Sequence, residues 1–227
     1  MPKKRLEKII EQTELNLELM RDLGIKELSR ERVEPLFGKK IAALRKLELE
    51  EMGNCERCKL CKERNLIVFG EGDANAGIFF VGEAPGETED LTGRPFAGPA
   101  GKILTDIIER GMRIPRSRVF ITSVLKCRPP KNREPAPEEI EACRGFLEKQ
   151  INIVRPKVVV ALGKVAAHCL LKSSEPISRL RGEWAEFNGI RVMPTYHPSY
   201  LIYNPSGKRE VWSDIKKVLH FLSEEKQ

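Results

Sequence analysis

The sequence predicts an α/β domain whose mostly parallel central sheet carries helices on both faces. Three observations predict it. The apolar runs Ile78 to Val81 and Lys157 to Leu162 have the length of buried strands. They alternate with stretches of helical periodicity, such as Lys102 to Ile108. A loop with glycines at 82, 86, 93, 98 and 101 directly follows the first run, at the strand end where open α/β sheets take their ligands.

Residues 1–50 read as a helical N-terminal extension, with Leu6, Ile9, Ile10, Leu17 and Met20 on an apolar stripe and Gly24, Pro35 and Gly38 as breaks. Residues 51–227 form the main domain. Its expected order begins with a strand at Leu66 to Phe69, a strand at Ile78 to Val81 and a helix from Ala100. A strand at Arg118 to Leu125 follows, then a helix from Pro137 to Ile153, whose proline suits a first helical position. The strand at Lys157 to Leu162, a helix at Lys164 to Leu171 and a strand pair at Trp184 to Phe187 and Ile190 to Pro194 come next. A helix over Lys208 to Ser223 closes the chain.

A hydrophobic content of 41% suffices for a conventional core. No apolar run approaches the ~18 residues that a membrane span needs. The charged start Met1 to Lys8 does not resemble a signal core, so a soluble, cytoplasmic protein without membrane partners, and a monomer, is expected. A net charge of +7, with Lys126, Arg128, Lys131 and Arg133 inside a proline-rich loop, favours a polyanionic partner. Abundant Glu, Lys and Arg fit a thermophile. The glycine loop matches neither the dinucleotide fingerprint nor the phosphate-binding loop ending in Lys-Ser/Thr.

Six cysteines occur. Cys55 and Cys58 are spaced as metal ligands are, as are Cys58 and Cys61, whereas Cys127, Cys143 and Cys169 stand apart. Four thiolates from distant segments suit zinc or a four-cysteine iron-sulfur cluster. Cys169, inside an apolar helix, reads as core.

Three segments in order, Gly-Glu-Ala-Pro-Gly-Glu-Thr-Glu-Asp-Leu-Thr-Gly-Arg-Pro-Phe at 82–96, Val-Leu-Lys-Cys-Arg-Pro-Pro at 124–130 and Tyr-His-Pro-Ser-Tyr-Leu at 196–201, resemble the family-four, iron-sulfur uracil-DNA glycosylases. The resemblance runs from Cys55 to the C-terminus. It implies a three-layer α/β/α domain that flips uracil out of DNA and hydrolyses its N-glycosidic bond, leaving an abasic site for base excision repair. It also implies a 4Fe–4S cluster on Cys55, Cys58, Cys127 and Cys143. By the same resemblance His197 and Glu83 are catalytic, and Ala84, Glu89, Phe96 and Ser123 contact the base. Tyr200, Leu201, Arg128 and Lys131 would meet the DNA. Ala84 stands where many uracil glycosylases have a water-orienting Asp, and Ser123 stands where the family has Asn. An Asn amide pairs with both N3–H and O4 of uracil, whereas a hydroxyl offers one adaptable contact. The alternatives are a glycosylase that admits other deaminated bases, a weakly catalytic damage-binding protein, and an electron-transfer protein using the cluster.

Overall fold

The computed structural model describes residues 30–224, so the helices expected over residues 1–29 lie outside the described residues. The chain divides into two units, residues 1–42 and 43–227. Helix α1 (Arg30–Lys46) leaves helical geometry at Gly38, with φ 70° and ψ 154°.

Six strands form one mixed sheet: β1 (Glu71–Gly72), β2 (Ile78–Gly82), β3 (Phe120–Ser123), β4 (Val158–Leu162), β5 (Ala185–Phe187) and β6 (Ile190–Thr195), in the order β1-β3-β2-β4-β6-β5. The four inner strands β3, β2, β4 and β6 are parallel, and the two short edge strands run antiparallel to their neighbours. Every residue of β2 and β4 is buried, as continuous apolar runs in a doubly covered parallel sheet should be. The register sets Gly82 beside Ser123 and Leu162 beside Thr195, so the strand ends share one edge.

The helices of the main domain are α2 (Glu87–Thr92), α3 (Pro99–Asp106), α4 (Pro137–Val154), α5 (Lys164–Leu171), α6 (Ile177–Leu180), α7 (Tyr200–Tyr203) and α8 (Lys208–Glu224). From α3 and α8, Leu104, Val211, Ile215 and Val218 pack with Phe80, Val160 and Met193 of the sheet. One residue out of phase, Phe79 and Phe120 point to the opposite face and stack with centroids 4.9 Å apart. Prolines open α3 and α4, where a missing amide hydrogen costs nothing.

The expected strand at Leu66 to Phe69 is not one; the edge strand comes later, at Glu71–Gly72. The Val68 amide donates to the Lys126 carbonyl, while the Phe69 carbonyl accepts from the Thr122 hydroxyl and the Gln150 amide. This backbone is therefore satisfied by side chains and one loop carbonyl, which apolar patterning cannot foresee. The expected strand at Arg118 to Leu125 shortens to β3 because the Val124 and Leu125 amides turn to the Gly82 and Glu83 carbonyls.

Beneath the end of β6, the fully buried carboxylate of Asp214 on α8 accepts the Thr195 hydroxyl at 2.6 Å and the Arg181 Nε–H at 3.0 Å. Removing one partner of such a pair strands the other charge out of water. Arg181→Ala is expected to lower unfolding stability by ~3–5 kcal/mol, read as a shift of the guanidinium midpoint at unchanged slope.

Candidate active site

The carboxyl ends of the four parallel strands each supply a segment to one cavity of about 310 Å³. The loop after β2 brings Glu83, Ala84, Glu89 and Phe96, β3 ends on Ser123, and β6 runs into His197. All six residues that the sequence nominates for catalysis or base contact thus line one pocket. Val68, Asn132, Arg133, Gly163, Lys164 and Ser199 line it too and were not nominated. Gly163 and Lys164 were findable, since they follow the apolar run of β4. Asn132 was not, since its place depends on left-handed backbone at both Lys131 (φ 53°) and Asn132 (φ 55°).

Phe96 and His197 face each other across the cavity wall, with centroids 5.6 Å apart and planes inclined by 32°. The phenyl ring seats there only because residue 82 has no side chain: a Cβ on Gly82 would lie 2.5 Å from Phe96 Cζ. The backbone before Phe96 is braced as well. Arg116 donates to the Pro95 carbonyl at 2.8 Å, to Thr105 Oγ1 at 2.9 Å and to Glu71 Oε1 at 3.0 Å, and Arg94 closes on the other oxygen of Glu71 at 2.9 Å.

His197 is held by its own loop. The Ser199 amide donates to Nδ1 at 3.2 Å, and the Ser199 hydroxyl lies 2.7 Å from the same nitrogen. An Nδ1 that accepts an amide hydrogen leaves the ring proton on Nε2. Burial disfavours the imidazolium and pushes the pKa from 6.5 down to about 4, with the Glu89 charge opposing weakly. The ring is therefore a neutral Nε2–H donor. Gly163, at φ 88°, permits this packing, since a Cβ there would meet His197 Cβ at 2.9 Å.

Burial raises the Glu83 carboxyl above its ordinary 4.5, helped by Glu134 and opposed by Lys164. Lys164 pairs with Glu134 at 2.6 Å, so its compensation of Glu83 is shared. Glu89 is engaged with the protein. Its Oε2 accepts the Gly86 amide at 3.0 Å and its Oε1 the Gly98 amide at 2.8 Å, so it staples the glycine loop, while Asp90 ties that loop to Asn65 at 2.9 and 2.6 Å. The base contact expected of Glu89 thus falls to a carboxylate already holding two amides.

At the rim, Arg128 donates to the Asn132 side chain at 2.8 Å, and Lys131 is exposed. Tyr200 is partly exposed and stacks on Tyr196 at 4.6 Å. Leu201, expected to wedge into DNA, instead packs in the core with 3% exposure, whereas its neighbours Ile202 and Tyr203 are exposed, Tyr203 by 82%. One turn of helix cannot present four consecutive side chains to solvent, and Leu201 is the one turned inward.

Cys55, Cys58, Cys127 and Cys143 line a separate, tight pocket. Cys61 is not among its lining residues, and Cys169 is buried in α5. Arg64 bridges the two halves of this pocket, donating to the Cys55 carbonyl at 2.7 Å and the Cys127 sulfur at 3.4 Å. Burial pushes the Cys127 thiol up to about 11, against the lowering effect of Arg64, and raises Cys58 and Cys143 as well, so burial opposes the thiolate form that a bound metal would stabilise. Among the described residues, no three His, Cys, Asp or Glu side chains converge closely enough to hold a single metal ion. Four sulfurs around one pocket form a soft donor set of the kind that zinc and iron-sulfur chemistry use.

Among the described residues no helix is long and apolar enough to cross a membrane. The family model of the uracil DNA glycosylase superfamily matches residues 69–216. A type-4 uracil-DNA glycosylase of Thermotoga maritima is 45% identical over 181 residues, covering 78% of this chain and 93% of that protein. Its counterpart in Saccharolobus solfataricus is 43% identical over 182 residues, covering 77% and 84%. A type-5 uracil-DNA glycosylase of Pyrobaculum aerophilum is 36% identical over 149 residues, covering 59% and 66%. With four strand ends meeting at one pocket and identity of this extent to type-4 enzymes, the chain belongs to the uracil DNA glycosylase superfamily, in its type-4 family.

Proposed function

We propose that this protein is a monofunctional DNA glycosylase that hydrolyses the N-glycosidic bond of uracil in DNA and leaves an abasic site. One observation carries the reading: Glu83, Phe96, Ser123 and His197, from three strand ends, line a single cavity in a member of this family. A flipped base entering the cavity would stack on Phe96 and present its polar edge to Ser123. As the bond between C1′ and N1 breaks, its electron pair passes to the base and charge gathers on O2. A neutral Nε2–H of His197 aimed there lowers the barrier without first shedding a proton. Water adds its hydroxyl to C1′, and Glu83, its pKa raised by burial, accepts the water's proton. Arg128 and Lys131 suit the DNA backbone, and the exposed Tyr200, Ile202 and Tyr203 suit the base stack, in place of Leu201.

The cysteine pocket fits a 4Fe–4S cluster on Cys55, Cys58, Cys127 and Cys143, in preference to Cys61. Bound there, the cluster would act as a structural cross-link between residues 55–58 and residues 127–143. Ser123 supports broadened selection of deaminated bases as a second reading, because its hydroxyl either donates or accepts.

His197→Ala is expected to slow single-turnover uracil excision by about a hundredfold, ~3 kcal/mol for one lost donor to a developing oxyanion, with little change in DNA affinity. Because the ring is already neutral above about pH 4, the rate should show no break near pH 6.5. Its acid limb should instead lie above 4.5 and vanish in Glu83→Gln. Labelled uracil oligonucleotides with alkaline cleavage of the product measure both.

Purified protein should be brown, with absorbance at about 400 nm and bound iron. Cys127→Ala should lose the colour and Cys61→Ala should keep it. Stoichiometric zinc without iron would overturn the cluster assignment.

Ser123→Asn is expected to raise the preference for uracil over other deaminated bases about tenfold in kcat/KM, since a second paired edge is worth ~1–3 kcal/mol. Competing excision rates on matched oligonucleotides report the ratio.

A further inference from the structure

Lys126 is a lysine buried to 2% exposure, and the reaction outlined above makes no use of it. Its Nζ donates to Thr122 Oγ1 at 2.6 Å, to the Ser123 carbonyl at 2.7 Å and to Gln150 Oε1 at 2.7 Å. Three acceptors match the three N–H bonds of an ammonium. The acceptors are themselves fixed: Thr122 and Gln150 both donate onward to the Phe69 carbonyl, at 2.7 and 2.8 Å.

The peptide unit between Ser123 and Val124 is planar, so holding its two polar atoms fixes its orientation. Lys126 takes the carbonyl, and the Val124 amide donates to the Gly82 carbonyl at 2.9 Å. The next amide, of Leu125, binds the Glu83 carbonyl at 3.0 Å, so the end of β3 and the start of the glycine loop lock together. With its carbonyl engaged by Lys126, Ser123 brings its hydroxyl to the cavity as its side-chain polar group. The same lysine also lines the cysteine pocket.

We propose that Lys126 is a positioning residue for base recognition: its Nζ clamps the Ser123 carbonyl and so aims the Ser123 hydroxyl at the base. This rests on the reading of the cavity as the uracil site.

Lys126→Met keeps the length of the side chain and removes its donors. In the full-length protein it is expected to slow single-turnover uracil excision about tenfold or more, the scale on which small misplacements act. Affinity for duplex carrying an abasic site, which presents no base to Ser123, should stay within about twofold. General loosening of the fold would instead weaken both. Thr122→Val, which deletes one anchor of the ammonium, should slow excision about threefold with abasic affinity unchanged, and decides the matter if Lys126→Met does not fold. Normal excision in a folded Lys126→Met or, failing that, in Thr122→Val would overturn the proposal, as would parallel losses of excision and abasic affinity. If the unsubstituted protein excises no uracil, it is the proposed function that fails.

Discussion

Parallel strands cannot be joined by tight turns, and that constraint organises this molecule. β2, β3, β4 and β6 all end at the same edge of the sheet; the chain returns from β2 to β3 and from β3 to β4 by crossovers, and enters β6 through a tight turn from the antiparallel β5. The backbone is therefore forced into loops side by side at one end, next to a buried, close-packed core. The inner strands are buried on both faces, so the loops spring from fixed points. A cavity lined from several strand ends is a geometric consequence of this topology, and the residues at those ends decide what it does.

Within the cavity, one physical effect works in opposite directions. Desolvation penalises whichever form is charged, so it lowers the His197 pKa and raises that of Glu83. The histidine stays neutral and donates; the carboxyl moves toward neutrality, where it exchanges protons more readily with water. Among the described residues no carboxylate pairs closely with the histidine: Glu89, whose charge opposes the lowering of its pKa, is tied to two backbone amides. The glycine loop thereby gains its shape from a carboxylate that also lines the cavity.

The sequence was most legible where burial is complete. Apolar runs located β2 and β4 within a residue, and Lys164 to Leu171 proved helical over its whole expected length. It was misleading where backbone is satisfied by side chains. Leu66 to Phe69 looks like a strand, yet its partners are Lys126, Thr122 and Gln150. The residues that line the cavity were legible because they stand in short contiguous motifs. The inward turn of Leu201 was not, because alternation along a four-residue helix carries no readable period. The same holds for Asn132, whose position follows from two left-handed residues that no pattern announces.

The brace around Phe96 has a thermal consequence. Arg116 pins the Pro95 carbonyl and Gly82 leaves room for the ring, so the phenyl platform is immobilised when the chain folds. An unbraced ring would surrender its rotamer freedom each time a base docked, at a cost that grows in proportion to absolute temperature. Here that freedom is already gone before any base arrives. A base stacked on Phe96, as proposed above, would therefore meet a surface that keeps its shape on heating for as long as the fold around it survives, and the ceiling on recognition would be the melting of the domain.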